Sequence, residues 1–478
     1  MPSTSPALRP AWLLSPWTWL GLAVLVRLTA LLVIPLRPEA VTDRPRWTPR
    51  DIATEKPTAW QILQRRTDFR QLDQDEGAYD NVAKNIAAGH GFRLDFSWMI
   101  NTPGEPTMYA GAGYPLFVAA FYKIFGHGGQ VPVFLGQIAL HALSVWLVMR
   151  TAARLAGPWA GAAAGAFLAL HPPLIWLSIA MMSENAMIPL VAMTLWLLLC
   201  APRRWGGRWW LRPLALGLAL GALAQTRSTF AAYIAVTCLW LLIEGRKSLP
   251  RWRALLPPVL AGLVSVAVST PWAVRNYAIW GKFIPFSTKS GINAYFFNHD
   301  GMVVEFGPGA VDRLPPVNIF GPEIQNLPDE PARNEALRKL FQEFVREHPG
   351  KFAGLTWMRF WMAVVPMQIT STSKLTLIGA WYAKGTALAA WLALAVLLFT
   401  GRLKGRRFIW RLAPLFLLLA MWQALQSLAG PGMRYRTPVE PGYAALIGIT
   451  VAIVAALVLP KAAGHPLASR WLRRRDSA

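Results

Sequence analysis

The residues with the clearest potential for chemistry are two adjacent acids, Asp75 and Glu76, which precede the helical run AYDNVAKNIAAG. A carboxylate placed where an apolar span meets water can accept a proton from a hydroxyl or an amine. A neighbouring carboxylate can orient a substrate or hold a divalent cation. The same pair could instead only complement the dipole of the helix that follows, which Gly89 can end.

Arginines recur at the ends of apolar stretches further along the chain. Arg227 lies in a very short turn between two such stretches, where a charge is costly unless it is paired or faces a polar cavity. Arg275 ends a later stretch, and Arg434 and Arg436 lie in the turn GPGMRYRTPVEPGY. Arginine suits bidentate binding of a phosphate ester, but contact with lipid headgroups or with loop carboxylates would explain these residues equally well.

The composition places these residues in a membrane protein. The 478 residues are 54% hydrophobic and only 15% charged, which argues against soluble classes. Stretches long enough, or nearly so, to cross a bilayer core of about 30 Å recur about ten times. They lie near residues 12–36, 131–149, 157–177, 185–201, 212–225, 229–243, 254–273, 379–400, 408–428 and 441–460.

Charge sets the expected orientation. The chain has 48 Lys and Arg against 24 Asp and Glu, and the basic residues cluster in alternate connections and in the C-terminal tail. By the positive-inside rule these connections face the cytoplasm, so the long polar segments 37–130 and 274–378 fall outside. The net charge of +24 therefore needs no nucleic acid. To keep this alternation, residues 356–369 are interpreted as an interfacial or re-entrant helix.

These features predict five regions. They are a first transmembrane helix (1–36), a first extracytoplasmic loop with catalytic acids (37–130), a transmembrane bundle (131–273), a second extracytoplasmic region with an interfacial helix (274–378), and C-terminal transmembrane helices with a basic cytoplasmic tail (379–478). Cys200 and Cys238 lie in apolar stretches and are interpreted as fillers. Nucleotide-binding, zinc-protease and serine-hydrolase motifs of the usual form are absent from the sequence.

Five short stretches carry a resemblance to a known family. They are DEGAYDNVAKNIAAGHGF; GEPT followed by GYPLFVAAFYKIFG; HPP with SEN; TPWAVRNY with the trailing WGKFIPFST; and RYRTPVEP. In order and character they resemble the bacterial branch of the dolichyl-phosphate-mannose-protein mannosyltransferase family, within the GT-C superfamily. The lipid A aminoarabinose transferase is similar in plan. The resemblance extends over about residues 12–460 and implies an all-α polytopic membrane protein, a GT-C type bundle of about 10 to 13 transmembrane helices with two large extracytoplasmic loops carrying short amphipathic helices.

The resemblance implies a glycosyltransferase in the bacterial cytoplasmic membrane, with its active site facing the periplasm or the cell exterior. Such an enzyme moves a hexose or pentose from a polyprenyl-phosphate donor to a protein, to lipid A or lipopolysaccharide, or to a cell-surface glycan, in one inverting step. By this resemblance Asp75 is the base that activates the acceptor, and Glu76 supports it or binds a metal. The candidate ligands of the donor phosphate are Arg275, Arg434, Arg436 and Arg227.

The same stretches supply the candidates for substrate binding: Tyr79, Glu105, Tyr114, Glu184 and Asn276. No cofactor is assigned, although Asp75, Glu76 and Glu105 are residues that could hold a divalent cation. The chain departs from the family before GYPLF, where relatives often carry Arg-Pro-Pro or Lys-Pro-Pro and residues 109–113 here read YAGAG. Either another arginine takes the role of that basic residue or the donor differs.

Two other functions are consistent with the sequence. A lipid-linked oligosaccharide ligase would use a diphosphate donor and often depends on arginine more than on a carboxylate base. A transporter or flippase for a lipid-linked sugar would need polar residues at mid-depth in its spans, whereas the notable ones here lie at their predicted outer ends.

Overall fold

The computed structural model describes residues 11–33, 74–126, 130–201, 207–247, 249–299, 321–364, 382, 385, 388, 406–429 and 433–458. Helices dominate this part of the chain, and the one β contact recorded within it is an isolated bridge between Arg93 and Pro106. The longer helices, labelled in chain order, are α1 (Pro16–Val33), α2 (Gln74–Ala87), α3 (Gly113–Phe125), α4 (Val131–Ala156), α5 (Pro158–Ala169), α6 (Glu184–Leu199), α7 (Leu211–Thr226), α8 (Ala231–Arg246), α9 (Leu256–Trp280), α10 (Lys289–Phe296), α11 (Glu330–Glu347), α12 (Pro349–Val364), α13 (Arg406–Ala429) and α14 (Glu440–Val458).

Several of these helices are apolar over a length that suits a membrane. Among the described residues, four segments are long and apolar enough to cross one: Val131–Ala156, Ser228–Arg246, Arg253–Trp280 and Thr437–Ala455. Shorter apolar helices cover Pro16–Leu32, Gly113–Phe125, Glu184–Leu199 and Leu412–Leu428. The all-α, polytopic architecture predicted from hydropathy is confirmed, and the number of spans stays a prediction.

The predicted span over 157–177 is not one continuous helix. Helix α5 ends at Ala169, and a separate short helix occupies Pro172–Leu177. His171 between them is extended, with ψ of 108°, because the residue before a proline disfavours the helical region. The predicted span 379–400 lies outside the described residues except at positions 382, 385 and 388. Of the predicted interfacial helix 356–369, residues up to 364 are helical and the remainder also lies outside.

Three apolar clusters hold the helices together. One joins α4, α5, α6 and α14 around Leu168, and a second joins α6, α7, α8, α13 and α14 around Leu220 and Leu418. A third joins α2 and α3 to the start of α4 through Tyr114 and Phe134. Between helices in a membrane, such side chains stabilise the fold by close packing and not by their removal from water. The third cluster matters most for function, because it fixes the acidic helix α2 on the bundle.

The end of the bundle at which residues 74–112 and 281–299 lie is termed the loop end. Here the carboxylate of Glu330, the first residue of α11, accepts hydrogen bonds from Thr107 Oγ1 at 2.7 Å, from Met108 N and from the Thr288 hydroxyl. Burial raises the pKa of Glu330, while these donors oppose that rise. One buried side chain therefore joins the 92–112 loop, α11 and the residue before α10.

Candidate active site

A pocket at the loop end of the bundle collects the charged residues. Its volume is about 740 Å³ including its open mouth. It will be called the loop-end pocket. Polar and charged side chains that line it are Asp75, Tyr79, Tyr109, Ser183, Thr226, Arg227, Ser228, Thr229, Ser287, Lys289, Asn293 and Tyr435. These residues come from segments that are far apart in the sequence and that meet only in the fold.

Asp75 occupies the first turn of α2, as the sequence predicts, where a carboxylate is favoured by the helix dipole. Its Oδ1 accepts a hydrogen bond of 3.1 Å from the hydroxyl of Tyr109. Burial raises the pKa of Tyr109 above its ordinary value, so the phenol keeps its proton and remains a donor. The carboxylate is thus held in one orientation at the wall of the pocket.

Lys289, the first residue of α10, brings a positive charge to the same wall. Its Nζ donates to the hydroxyl of Tyr79 at 3.2 Å and lies 4.2 Å from the ring centroid of Tyr109 and 5.2 Å from that of Tyr79. Burial opposes the charge, but the carboxylate of Asp75 and the hydrogen bond with Tyr79 help to raise the pKa of Lys289 above its ordinary value. The ammonium group therefore stays charged beside the carboxylate. Sequence reasoning missed both Lys289 and Tyr109.

The 109–113 segment, where relatives often carry a basic residue, packs tightly on the end of α7. A Cβ on Gly111 would lie 2.0 Å from the backbone oxygen of Gln225, and one on Gly113 would lie 2.4 Å from Thr226 Oγ1. Side chains at these two positions would therefore clash with the backbone and with a buried hydroxyl. Lys289 instead supplies the cation beside Tyr109, at the start of this segment.

Arg227 lies in the pocket at the break between α7 and α8. Its backbone is extended, with φ of −151° and ψ of 117°, which separates the two helices. Its Nη1 contacts Oε1 of Glu184 at 3.2 Å, and its guanidinium carbon lies 4.5 Å from the ring centroid of Tyr435. The side chain of Arg227 is 18% exposed, whereas that of Glu184 is fully buried. Arg227 is thus both paired and open to a polar cavity, the two conditions that make a charge tolerable at this depth.

Glu76 and Glu105 lie outside the lining of the pocket. Glu76 is buried, and its Oε1 accepts a hydrogen bond of 3.0 Å from Met181 N, which ties α2 to the segment before α6. Glu105 is exposed on the loop before α3. Within the described ranges, no group of three or more His, Cys, Asp or Glu residues is arranged to hold a metal ion.

Arg275 and Asn276 lie within the last two turns of α9, which runs further than the predicted span. Arg275 donates to the carbonyl oxygens of Thr107 at 3.1 Å and Phe92 at 3.2 Å, and it also bonds Asn276 Oδ1 at 2.9 Å. Asn276 Nδ2 in turn donates to Ile284 O at 2.8 Å. Neither residue lines the loop-end pocket, and both hold the backbone that surrounds it.

Three other predicted residues, Arg434, Arg436 and Tyr114, are not among the residues that line the pocket. Arg436 is buried, with its Nε 2.9 Å from Oε1 of Glu440. The Tyr114 hydroxyl donates to Gln137 Oε1 at 2.6 Å in the apolar cluster beneath α2. The side chain of Arg434 lies outside the described part of the chain, although its backbone belongs to the short helix Met433–Arg436.

The pocket therefore combines one oriented carboxylate with two cations and several hydroxyls. A carboxylate of this kind can take a proton, and cations held in a partly buried site can stabilise negative charge that develops on a leaving group. Arg227 and Lys289 lie on different elements, so an anionic group bound by both would be fixed relative to Asp75.

Comparison with known proteins found one matching family model and several similar solved structures. Residues 111–274 match the model of the family described as dolichyl-phosphate-mannose-protein mannosyltransferase. The archaeal oligosaccharyltransferase AglB from Archaeoglobus fulgidus, solved with an inhibitory peptide and a dolichol-phosphate, has a TM-score of 0.49 and 15% identity, over 94% of this chain and 52% of that one. ArnT from Cupriavidus metallidurans, solved with undecaprenyl phosphate, has a TM-score of 0.38 and 16% identity, over 94% of this chain and 80% of that one.

The chain spans about half the length of the archaeal oligosaccharyltransferase. No curated protein matches the sequence significantly. The described residues form a helical assembly that includes several helices apolar enough to cross a membrane, which is the architecture of a polytopic membrane protein. The matched segment 111–274 confirms the resemblance to the dolichyl-phosphate-mannose-protein mannosyltransferase family over that part of the chain.

Proposed function

We propose that the protein is a membrane glycosyltransferase that moves a sugar from a polyprenyl-phosphate donor to an acceptor. The observation that carries this proposal is the meeting of Asp75, Arg227 and Lys289 in one pocket at the ends of apolar helices. A donor of this class has an anionic phosphate next to a long apolar chain, so its site needs cations at a membrane boundary. The segment that matches the family contributes Gly111, Ser183 and Arg227 to that pocket.

In the proposed reaction, the donor phosphate lies between Arg227 and Lys289, and the acceptor lies beside Asp75. The acceptor oxygen or nitrogen loses its proton to Asp75 as it attacks the anomeric carbon. The bond between that carbon and the phosphate oxygen breaks, and its electron pair leaves with the polyprenyl phosphate. The two cations stabilise the charge that this oxygen gains, and a single displacement inverts the anomeric centre.

The roles of the residues around these three follow from their placement. Tyr109 orients Asp75, and Tyr79 orients Lys289 through their hydroxyl contacts. Glu184 holds the guanidinium of Arg227. Within this proposal a divalent cation at Asp75 is unnecessary, because the phosphate charge is met by two side chains.

We place the pocket on the outer face of a bacterial cytoplasmic membrane. Arg154, Arg212 and Arg246 lie at the ends of α4, α7 and α8 that are remote from the loop end. Basic residues concentrate on the cytoplasmic side, so the loop end would face the periplasm or the cell exterior. The acceptor on that face would be a protein, lipid A or lipopolysaccharide, or a cell-surface glycan.

The test is donor turnover by the purified protein, with a radiolabelled polyprenyl-phosphate sugar and a membrane extract as acceptor. Wild-type protein is expected to move label from the carrier to an acceptor, and Asp75→Asn to slow this transfer at least about a hundredfold, as loss of a general base does. Glu343→Gln, a change of an exposed acid on α11, serves as the matched control and should transfer normally.

Other outcomes would support one of the alternative functions. Full transfer by a folded Asp75→Asn variant would remove the base assignment. Transfer from a diphosphate-linked oligosaccharide alone would favour the ligase, and movement of an uncleaved carrier across vesicles would favour the transporter or flippase.

A further inference from the structure

Helix α10 forms one wall of the loop-end pocket. Lys289, its first residue, lines the pocket, as do Asn293 and Phe296, and so does Phe297 directly after the helix. The 8 residues of α10 rise about 12 Å, so its two ends lie at different parts of the wall. A contact that fixes either end of α10 therefore also fixes residues that line the pocket.

The first end of α10 is held by α11. The hydroxyl of Thr288 donates to Glu330, and Gly291 N donates to Asn334 Oδ1 at 2.9 Å. A Cβ on Gly291 would lie 2.2 Å from the backbone oxygen of Asn334, so the two helices are in direct contact here. These contacts keep the first turn of α10, and with it Lys289, at the pocket.

The last end of α10 is held by Arg359, a residue of α12 that is only 1% exposed. Its Nη1 donates to Asn298 Oδ1 at 2.8 Å and to Leu428 O at 3.4 Å, and its Nη2 donates to Phe297 O. Asn298 Nδ2 in turn donates to Ala294 O at 2.8 Å and to Leu428 O at 3.2 Å. One guanidinium group thus joins the end of α10 to the end of α13.

Two aromatic rings connect this end of α10 to Arg227. The rings of Phe297 and Tyr435 meet edge to face, with centroids 6.2 Å apart. The ring of Tyr435 lies 4.5 Å from the guanidinium carbon of Arg227, and its backbone oxygen accepts a hydrogen bond of 2.8 Å from Trp422 Nε1. Both cations of the pocket are therefore connected to α10, Lys289 at its start and Arg227 through the rings at its end.

We propose that Arg359 is a positioning residue of the donor-phosphate site. It fixes the end of α10 and, through Phe297 and Tyr435, keeps the guanidinium of Arg227 at its place in the pocket. This inference rests on the proposed function, because that function assigns the donor phosphate to Arg227 and Lys289. Arg359 itself is not among the residues that line the pocket, so it acts through these neighbours.

The type of residue at position 359 supports this role. A buried charge is costly, and an apolar side chain would pack between α10 and α13 without that cost. A guanidinium offers several donors in one rigid plane, whereas the ammonium group of a lysine turns freely. An arginine can therefore bond acceptors of two helices in a single geometry, which holding a wall of the pocket requires.

The first measurement is the binding of farnesyl phosphate to the purified protein in detergent, because it needs no turnover. Arg359→Met should raise the Kd about threefold to tenfold, as changes along a contiguous network of contacts do. Arg212→Met is the matched control, since Arg212 is also buried and donates to the carbonyls of Leu197 and Leu198 at the opposite end of the bundle. Both variants should lower the melting temperature, but Arg212→Met should leave the Kd within about twofold.

A double-mutant cycle tests the route from Arg359 to the pocket. Phe297→Leu removes the ring that meets Tyr435 and keeps the carbonyl to which Arg359 donates. In this background Arg359→Met should raise the Kd by less than about twofold, because the route is already broken. Arg359→Lys, which keeps the charge and a donor, replaces Arg359→Met if that variant does not fold, and we expect a smaller loss of binding with the same dependence on Phe297.

The outcomes separate this proposal from the proposed function. An unchanged Kd in a folded Arg359 variant, or the same loss with and without the Phe297 ring, would overturn the positioning role and leave the enzyme. Wild-type protein that transfers no sugar and binds neither farnesyl phosphate nor a long-chain polyprenyl phosphate would refute the proposed function, and the positioning role with it. Binding that depends on Arg359 without sugar transfer would support the positioning role and refute only the transferase.

Discussion

Among the single residues of the pocket, Tyr79 and Tyr109 hold the two opposite charges in place. Asp75 accepts a hydrogen bond from the hydroxyl of Tyr109, and the ammonium group of Lys289 lies against the rings of Tyr79 and Tyr109. Tyr109 thus contacts both the carboxylate of Asp75 and the ammonium group of Lys289. A change at Tyr109 would therefore be expected to disturb both charged groups.

Removal of the Lys289 charge should weaken the binding of the donor phosphate. A hydrogen bond to a charged group contributes about 1.5–3 kcal/mol, so Lys289→Met should lower kcat/KM for the donor roughly tenfold to a hundredfold. Lys289→Arg should recover part of this, because a guanidinium also stacks on aromatic rings. Lys339→Met, at an exposed position of α11, is the control. Unchanged donor kinetics in Lys289→Met would show that the phosphate binds elsewhere.

Substitution of Arg275 tests whether this residue binds the donor phosphate or only holds the backbone around the pocket. Its donors reach the carbonyls of Thr107 and Phe92, so Arg275→Met should lower the apparent melting temperature and leave donor KM within about twofold in the folded fraction. Thermal unfolding in detergent and donor kinetics measure the two effects, with Arg253→Met, which is exposed, as the control. A tenfold rise in KM at unchanged stability would restore the predicted role of Arg275 in phosphate binding.

At the scale of elements, the loops above the bundle are joined by buried polar contacts. Glu330 receives hydrogen bonds from both the 92–112 loop and Thr288, next to Lys289 at the start of α10. The position of the ammonium group therefore depends on α11, although no residue of α11 lines the pocket. Helix α11 also contacts α10 through Asn334, whose Oδ1 accepts a hydrogen bond of 2.9 Å from Gly291 N.

Loss of Glu330 should disturb both stability and the site. Glu330→Ala leaves Met108 N and two hydroxyls without their acceptor, which costs about 1–3 kcal/mol per unsatisfied group, whereas Glu330→Gln keeps an oxygen and nearly the same shape. We expect Glu330→Ala to lower the melting temperature and the transfer rate together, and Glu330→Gln to lie close to wild type. Equal loss in both variants would instead show that the negative charge itself is required.

The sequence predicted the elements better than the contacts between them. Apolar length alone located α4, α8, α9 and α14, and acids in a first turn located α2. The break at His171 was missed because hydropathy carries no information about the backbone conformation of the residue before a proline. Asp75 and Arg227 were found from their type and position. Lys289 was missed because it meets Tyr79 across 210 residues of chain, and no local pattern encodes that contact.

At the scale of the whole molecule, charge asymmetry and the site support one orientation. The acids and hydroxyls of the pocket lie at the loop end, and basic residues such as Arg154 and Arg246 lie at the other. The proposed enzyme, which would draw its donor from the bilayer and its acceptor from the aqueous side, needs its pocket at the boundary between the two.

Cysteine accessibility tests this orientation. In a background with Cys200 and Cys238 changed to alanine, Ser97→Cys is exposed on the first loop and Arg251→Cys is exposed at the opposite end. A membrane-impermeant maleimide should label Ser97→Cys in intact spheroplasts and Arg251→Cys only after the membrane is opened. The reverse pattern would place the pocket in the cytoplasm and refute the proposed localisation.

The pocket is also completed late along the chain. The segment that matches the family, 111–274, contains Arg227 but neither Asp75, which precedes it, nor Lys289 and Tyr435, which follow it. A ribosome would therefore have to deliver almost every helix to the membrane before the site exists at all. Under the proposed function, nascent or truncated chains that end before residue 433 would lack Tyr435 from the wall of the pocket, and we expect such unfinished copies to leave the lipid carrier untouched.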